Sequence, residues 1–166
     1  MNIEKLVGFS VSVDGRGYVG EADITLPALS LKTETAPGGA ADFKIQAGGM
    51  DEMDAALMFE SYPLDVLKQF GAEGDTMTPL TARGSIRRPN GDEVPVLVQM
   101  RGLIYQLSGQ EWKRGEGAIN NEVTVSLRYY RLEVAGEELV EIDAVNHVRR
   151  VGGVDQLETY RSNIGV

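Results

Sequence analysis

The sequence predicts a mainly β protein: an antiparallel β-barrel or sandwich with one short helix packed on it and a short C-terminal helix. Three observations carry this. Apolar and polar residues alternate, as in Val123, Val125 and Leu127 against Glu122, Thr124 and Ser126, which is the period of a strand with one buried face. Hairpin turn signals punctuate these runs, notably Asp14-Gly15, Asn90-Gly91 and Ala135-Gly136. Helix signals are confined to two short stretches, residues 63–71 and 153–162.

The elements are taken in chain order. Val7, Phe9, Val11 and Val13 make one face of a first strand, with Gly8, Ser10 and Ser12 on the other. A turn over 14–17 leads to a return strand, 18–26, that Pro27 ends. Residues 33–41 are small and polar around Pro37, Gly38 and Gly39, so an extended, exposed, mobile loop is expected there, ordered only where a neighbour holds it. After a strand through Leu57, Met58 and Phe59, Pro63 suits the first turn of a helix and Gly71 its C-terminal cap, with Leu64, Leu67 and Phe70 as the buried stripe. Strands over 80–88 and 94–107 flank Asn90-Gly91. The next strand is predicted to bury Val123, Val125, Leu127 and Tyr129 and to turn Glu122, Thr124, Ser126, Arg128 and Tyr130 the other way. A last hairpin closes at Ala135-Gly136. No internal repeat or second domain is visible, so residues 1–166 read as one domain.

Composition narrows the function. With 42% apolar residues in 166, the chain can bury a real core. Cysteine is absent, which excludes a disulfide framework, a thiolate nucleophile and a zinc-thiolate site. No apolar run is long enough to span a bilayer, so a soluble product of a cytoplasm is expected. A net charge of -9 argues against a phosphate-gripping protein, because DNA affinity comes mainly from lysine and arginine displacing counterions.

The tempting motifs have plainer readings. Gly15, Gly17 and Gly20 match G-x-G-x-x-G, yet residues 21–27 alternate and end at Pro27 instead of opening a helix, so the glycines are hairpin punctuation. The acidic run Met50-Asp51-Glu52-Met53-Asp54 lacks the ligand spacing and central glycine of a calcium loop. His147 is the single histidine and has no serine in a nucleophile turn to serve, so it reads as a surface or interface residue. Trp112 lies in a loop too charged for a core. Two readings weigh equally: an anchor in a subunit contact, where tryptophan is enriched, or a side chain folded back on its own barrel. No catalytic residue, cofactor or metal is expected.

Four segments of the C-terminal third are specific in their order and spacing: Tyr129-Tyr130-Arg131-Leu132-Glu133-Val134, Glu138-Leu139-Val140-Glu141-Ile142-Asp143-Ala144-Val145-Asn146, Gly153-Val154-Asp155-Gln156-Leu157 and Asn163-Ile164-Gly165-Val166. They resemble the major tail tube protein of contractile-tailed phages and the tube protein of R-type pyocins. Upstream, Thr25-Leu26-Pro27-Ala28-Leu29, Lys32-Thr33-Glu34 and Gly38-Gly39 are similar to the family's long loop. Where the family carries an aromatic and a basic residue before these glycines, this chain has Ala36-Pro37.

The resemblance implies a non-enzymatic subunit of hexameric rings stacked into a hollow tube for DNA ejection or membrane puncture. It implies a contractile sheath outside, a baseplate hub and a tail terminator at the ends, and a tape-measure protein and then DNA in the lumen, without sequence-specific binding. It implies no membrane binding by this subunit, and a place in a virion tail tube assembled in the bacterial host cytoplasm. In that frame Lys32, Glu34, Pro37, Gly38 and Gly39 are candidates for ring stacking. Glu122, Thr124, Ser126 and Arg128 are candidates for the lumen wall, and Trp112 and Arg161 for subunit contacts. The alternative is an isolated β-barrel that binds a ligand or an oligonucleotide, which would want aromatic stacking positions on a basic face.

Overall fold

Two long strands, β8 (Glu93–Ser108) and β9 (Asn121–Val134), pair antiparallel along most of their length and organise everything else. The computed structural model describes residues 3–166 other than 14–16, 21 and 116. The remaining strands are β1 (Lys5–Val13), β2 (Gly17–Gly20), β3 (Ala22–Thr25), β4 (Leu31–Ala36), β5 (Phe43–Met50), β6 (Met53–Phe59), β7 (Thr78–Arg87), β10 (Glu137–Asp143), β11 (Val148–Val151) and β12 (Val154–Asp155). The helices are α1 (Leu64–Leu67) and α2 (Glu158–Ile164).

The pairings join these strands, other than β4 and β5, into one open sheet. β1 pairs with β2 and β7, β7 with β8, β8 with β9, β9 with β6, and β6 with β3, which comes one residue after β2. The sheet folds over into two facing antiparallel walls, the sandwich of the two expected architectures, without a pairing between β2 and β3 among the described residues. One wall is four strands wide: β3, β6, the first half of β9 and the second half of β8. The other wall holds β2, β1, β7, the first half of β8 and the second half of β9, and is extended by β10, β11 and β12. Val11, Leu57, Phe59, Leu80, Ile104, Val123 and Val125 fill the space between them.

The two walls join at a corner with a specific chemical requirement. Arg101 pairs with Tyr129 but Gly102 pairs with Leu127, so Arg128 is an extra residue, a β-bulge. The strand bends there, and β9 changes its other partner from β6 to β10. A Cβ on Gly102 would lie 2.8 Å from the Ser126 carbonyl carbon and 2.9 Å from Leu127 Cα. Only glycine lets the two backbones approach so closely. The bulge also reverses which residues face inward. Tyr130, not the expected Tyr129, is buried, at 3% exposure.

Other expectations are corrected in the same physical terms. Val7 lies in a register shift of β1 and is exposed, while Val11 and Val13 are buried as expected. The first helix is a single turn, too short to bury a stripe. Val66 is fully buried, whereas Leu64 and Phe70 are exposed. The terminal helix occupies Glu158–Ile164 instead of 153–162, because Val154 and Asp155 pair with β11 first. Gly165 ends it at φ 78° while the Val166 amide donates to the Arg161 carbonyl, a glycine C-terminal cap. Residues 33–41 are not one extended loop: they include most of β4 and the tip of the β4–β5 hairpin. The final hairpin turn is as expected, with Ala135 and Gly136 both left-handed, at φ 54° and 79°. The predicted turn over 14–17 lies mostly outside the described residues.

Candidate functional site

The four-stranded wall has an outward face whose charged residues, in its paired rows, are all acidic. Alternation sends Val123, Val125 and Leu127 to the core and Glu122, Thr124 and Ser126 outward. Strand register sets their neighbours: Met58, Ala56 and Asp54 on β6, and Ser108, Gln106 and Leu103 on β8. Asp23 and Thr25 of β3 continue the same rows. The Tyr105 hydroxyl donates to Asp54 Oδ2 at 2.9 Å, and this bond holds the phenol above its usual titration range. Three carboxylates, Asp23, Asp54 and Glu122, thus share a face on which no lysine or arginine stands in these rows. Arg128, expected to continue the face of Glu122, Thr124 and Ser126, is the extra residue of the corner bulge, where its carbonyl accepts from the Ala144 amide at 2.9 Å.

This wall has two unpaired edges. Among the described residues β3 pairs only with β6, and β7 leaves β8 at Gly102, so residues 103–108 have no strand partner on one side, where the Ile104 carbonyl accepts from the Gly71 amide at 3.0 Å. Such edges invite pairing with another chain.

The β4–β5 hairpin carries Lys32 and Glu34 on its first strand and Pro37, Gly38 and Gly39 at its tip. Among the described residues its strands pair only with each other. Phe43 and Ile45, 54% and 39% exposed, share an apolar face with the half-buried Ala36. A Cβ on Gly38 would meet the Ala41 carbonyl carbon and the Phe43 ring at 3.2 Å, so the tip is tight. At the root, Gly48 and Gly49 take φ 88° and 75° and produce a register shift between Leu31–Met50 and Thr33–Gln46 pairing. A two-stranded ribbon is marginal in water by itself.

Trp112 is tied to its own subunit. Its indole Nε1 donates to the Tyr62 hydroxyl at 2.8 Å, yet the side chain stays 81% exposed. Arg161 is engaged inside the subunit. Its guanidinium pairs with Asp155 and donates from Nη1 to the His147 carbonyl at 2.8 Å, fastening α2 to β12 and to the β10–β11 turn. Arg161 and the Leu157 amide hold the Asp155 carboxyl below the usual range. On the outward face of the second wall, Arg131 lies within 3.3–3.7 Å of Glu133, Glu138 and Glu141, and Arg150 lies 3.2 Å from Glu141.

The family model of phage tail tube protein FII matches residues 3–165. The chain belongs to that family. This tail tube chain is 36% identical to the tail tube protein of Escherichia phage P2, over 98% of its own length and 97% of the relative's. It is 29% identical to the major tail tube protein of Serratia phage KSP20, over 90% of its length and 88% of that protein's. Two solved structures share the fold at low identity. One is from the sheath-tube complex of an extracellular contractile injection system in its extended state, with TM-score 0.55, 14% identity, and 76% of this chain and 88% of that one covered. The other is from the sheath/tube terminator of that system, with TM-score 0.56, 16% identity, and 76% and 94% covered. The protein is a structural subunit of a tail tube.

Within this tail tube subunit, the sequence reading missed two features. One is the hairpin, whose strands lack alternation because neither face is buried. The other is a cavity of about 600 Å³ between the hairpin root, the β10–β11 turn and α2, which distant segments build together. His147 stands at its margin with φ 54°, its ring edge-on to Tyr160 at 5.8 Å.

Proposed function

We propose that six copies of this domain, residues 1–166, close into a ring by pairing the β3 edge of one copy with the free edge of β8 in the next. The four-stranded wall with two open edges and an acidic face is the observation that carries this. Its strands alternate in direction, so β8 meets a rotated neighbour's β3 antiparallel and the alternation continues around the ring. Closure abolishes the exposed edges. Six copies of four strands, spaced about 4.8 Å apart and tilted about 40°, give a backbone diameter of roughly 48 Å, and a lumen of roughly 40 Å once side chains project inward.

The rings stack into a tube, with Glu122, Thr124 and Ser126 lining the lumen beside Asp23 and Asp54. A tape-measure protein and then DNA pass along this wall without a resting site, because carboxylates offer phosphate no counterion-releasing contact. The β4–β5 hairpin, with Lys32, Glu34, Pro37, Gly38 and Gly39, reaches the adjacent ring. The second wall, with its ion pairs around Arg131 and Arg150, faces a contractile sheath, while a baseplate hub and a tail terminator close the ends. The subunit performs no catalysis and assembles in the host cytoplasm. An oligonucleotide-binding barrel is disfavoured by the acidic face.

Negative-stain microscopy of purified protein, alone and with isolated baseplates, tests the reading. Rings or tubes with a central channel are expected. A strictly monomeric species at high concentration under both conditions refutes it.

A further inference from the structure

The two ends of the four-stranded wall carry unlike surfaces. Met53 pairs with Leu127 at one end and Phe59 with Asn121 at the other, a separation of about 20 Å at ~3.3 Å per residue. At the Leu127 end opens the cavity of about 600 Å³, walled by Met50, Met53, Leu127, Ile142, Leu157 and Tyr160, with the exposed carboxylates Asp51 and Glu52 also lining it. Arg149, the cation among its lining residues, is buried and donates from Nε to Gln156 at 2.8 Å. At the Asn121 end, the loop between β8 and β9 presents Trp112, followed by the exposed Lys113 and Arg114.

We propose that Trp112 of one copy seats in this cavity on a copy in the adjacent ring, with Lys113 and Arg114 against Asp51 and Glu52. The proposal rests on the stacked-ring reading and names the contact that holds the stack. Head-to-tail stacking is heterologous: it sets one end of each copy on the opposite end of another, so the contact must join two different surfaces. These two surfaces match in kind. An apolar cavity with carboxylates at its margin faces an indole followed by two cations, and the exposed Lys113–Glu111 pair at 3.3 Å is cheaply exchanged. Tryptophan is the side chain most often found as a buried interface anchor, and the bond to Tyr62 orders it beforehand, which lowers the entropy lost on docking. Met50 and Met53 supply walls that adapt to an inserted ring.

The chain has no cysteine, so an introduced pair reports on this contact alone. Lys113→Cys with Glu52→Cys, oxidised after assembly and run on a non-reducing gel, should give a ladder that continues past six subunits, which neither single variant gives. A ladder that stops at six places the contact within one ring and overturns the proposal, as does a lack of cross-links in tubes that have formed. Trp112→Ala should keep rings while raising the concentration needed for tube growth at least tenfold. Lys113→Glu with Arg114→Glu should do the same, and Asp51→Lys with Glu52→Lys should restore growth. Normal stacking by Trp112→Ala, or loss of its rings, overturns the site while leaving the tube reading intact. A wild-type chain that forms no rings overturns the tube reading itself.

Discussion

Replacing Gly102 with alanine asks whether the corner between the two walls depends on one missing methyl group. The added Cβ would stand 2.8 Å from the Ser126 carbonyl carbon and 2.9 Å from Leu127 Cα, and closer still to the Ser126 oxygen, where ordinary contact begins at 3.4 Å. Every atom it meets is backbone, so no rotamer change relieves the clash. β8 and β9 must separate at the bulge, with overpacking strain of about 1–3 kcal/mol and the loss of about one ladder hydrogen bond, ~1 kcal/mol. The expected loss is roughly 2–4 kcal/mol, read by urea unfolding of the isolated subunit followed by circular dichroism. Gly84→Ala is the control. There the new Cβ meets the movable Leu6 Cδ1 at 3.0 Å and other atoms only at 3.4 Å, so the cost should stay below about 1 kcal/mol. If Gly102→Ala costs no more than Gly84→Ala, the corner does not depend on close backbone approach and the argument fails.

Other consequences are open to measurement. Amides of the β4–β5 hairpin should exchange quickly in the free subunit and become protected in tubes, and equal protection in both states would count against inter-ring docking. Shortening the tip at Gly38-Gly39 should leave the domain folded while blocking tube growth, as seen by microscopy. Glu122→Lys with Ser126→Lys should leave tubes intact but slow DNA passage, most at low salt where screening is weak, whereas normal ejection at low salt would sink the electrostatic account. The Asp155 carboxyl titrates lower in the folded chain than in the unfolded one. Its contribution is therefore present above the unfolded value of about 3.9 and disappears as pH falls through the lowered folded value. Hydrogen exchange should show α2 loosening in that acid range, and Asp155→Asn should loosen it already at neutral pH. An α2 indifferent to both changes would show that the Arg161 bridge does not hold it.

What the sequence disclosed was governed by burial on one side of an element. Val123, Val125 and Leu127 announce their strand because one face meets the core, and Asn90-Gly91 announces a turn because few residues accept its backbone angles. The bulge at Arg128 is silent, because one extra residue shifts the phase without altering composition. Tyr129 and Tyr130 stand side by side, and either suits a core. The β4–β5 hairpin is silent for the opposite reason, since a ribbon with no buried face has no period to display. Leu64 and Phe70 misled because helical spacing implies a stripe only where the helix lasts more than one turn. The partner of Arg161 was within sight, an aspartate six residues earlier, but only the fold shows that β12 and α2 turn back to bring the two charges together.

β8 and β9 each run through both walls of the subunit, bending at Gly102 and Arg128. The layers of the assembled tube would therefore be laminated by continuous covalent chain and not merely by side chains resting on one another. Shear applied outside would load the lining directly through the backbone, with no slip plane between. Stiffness in such a conduit would come from weaving, so the most damaging lesions should be those at the bend, and not those that thin the core on either side of it.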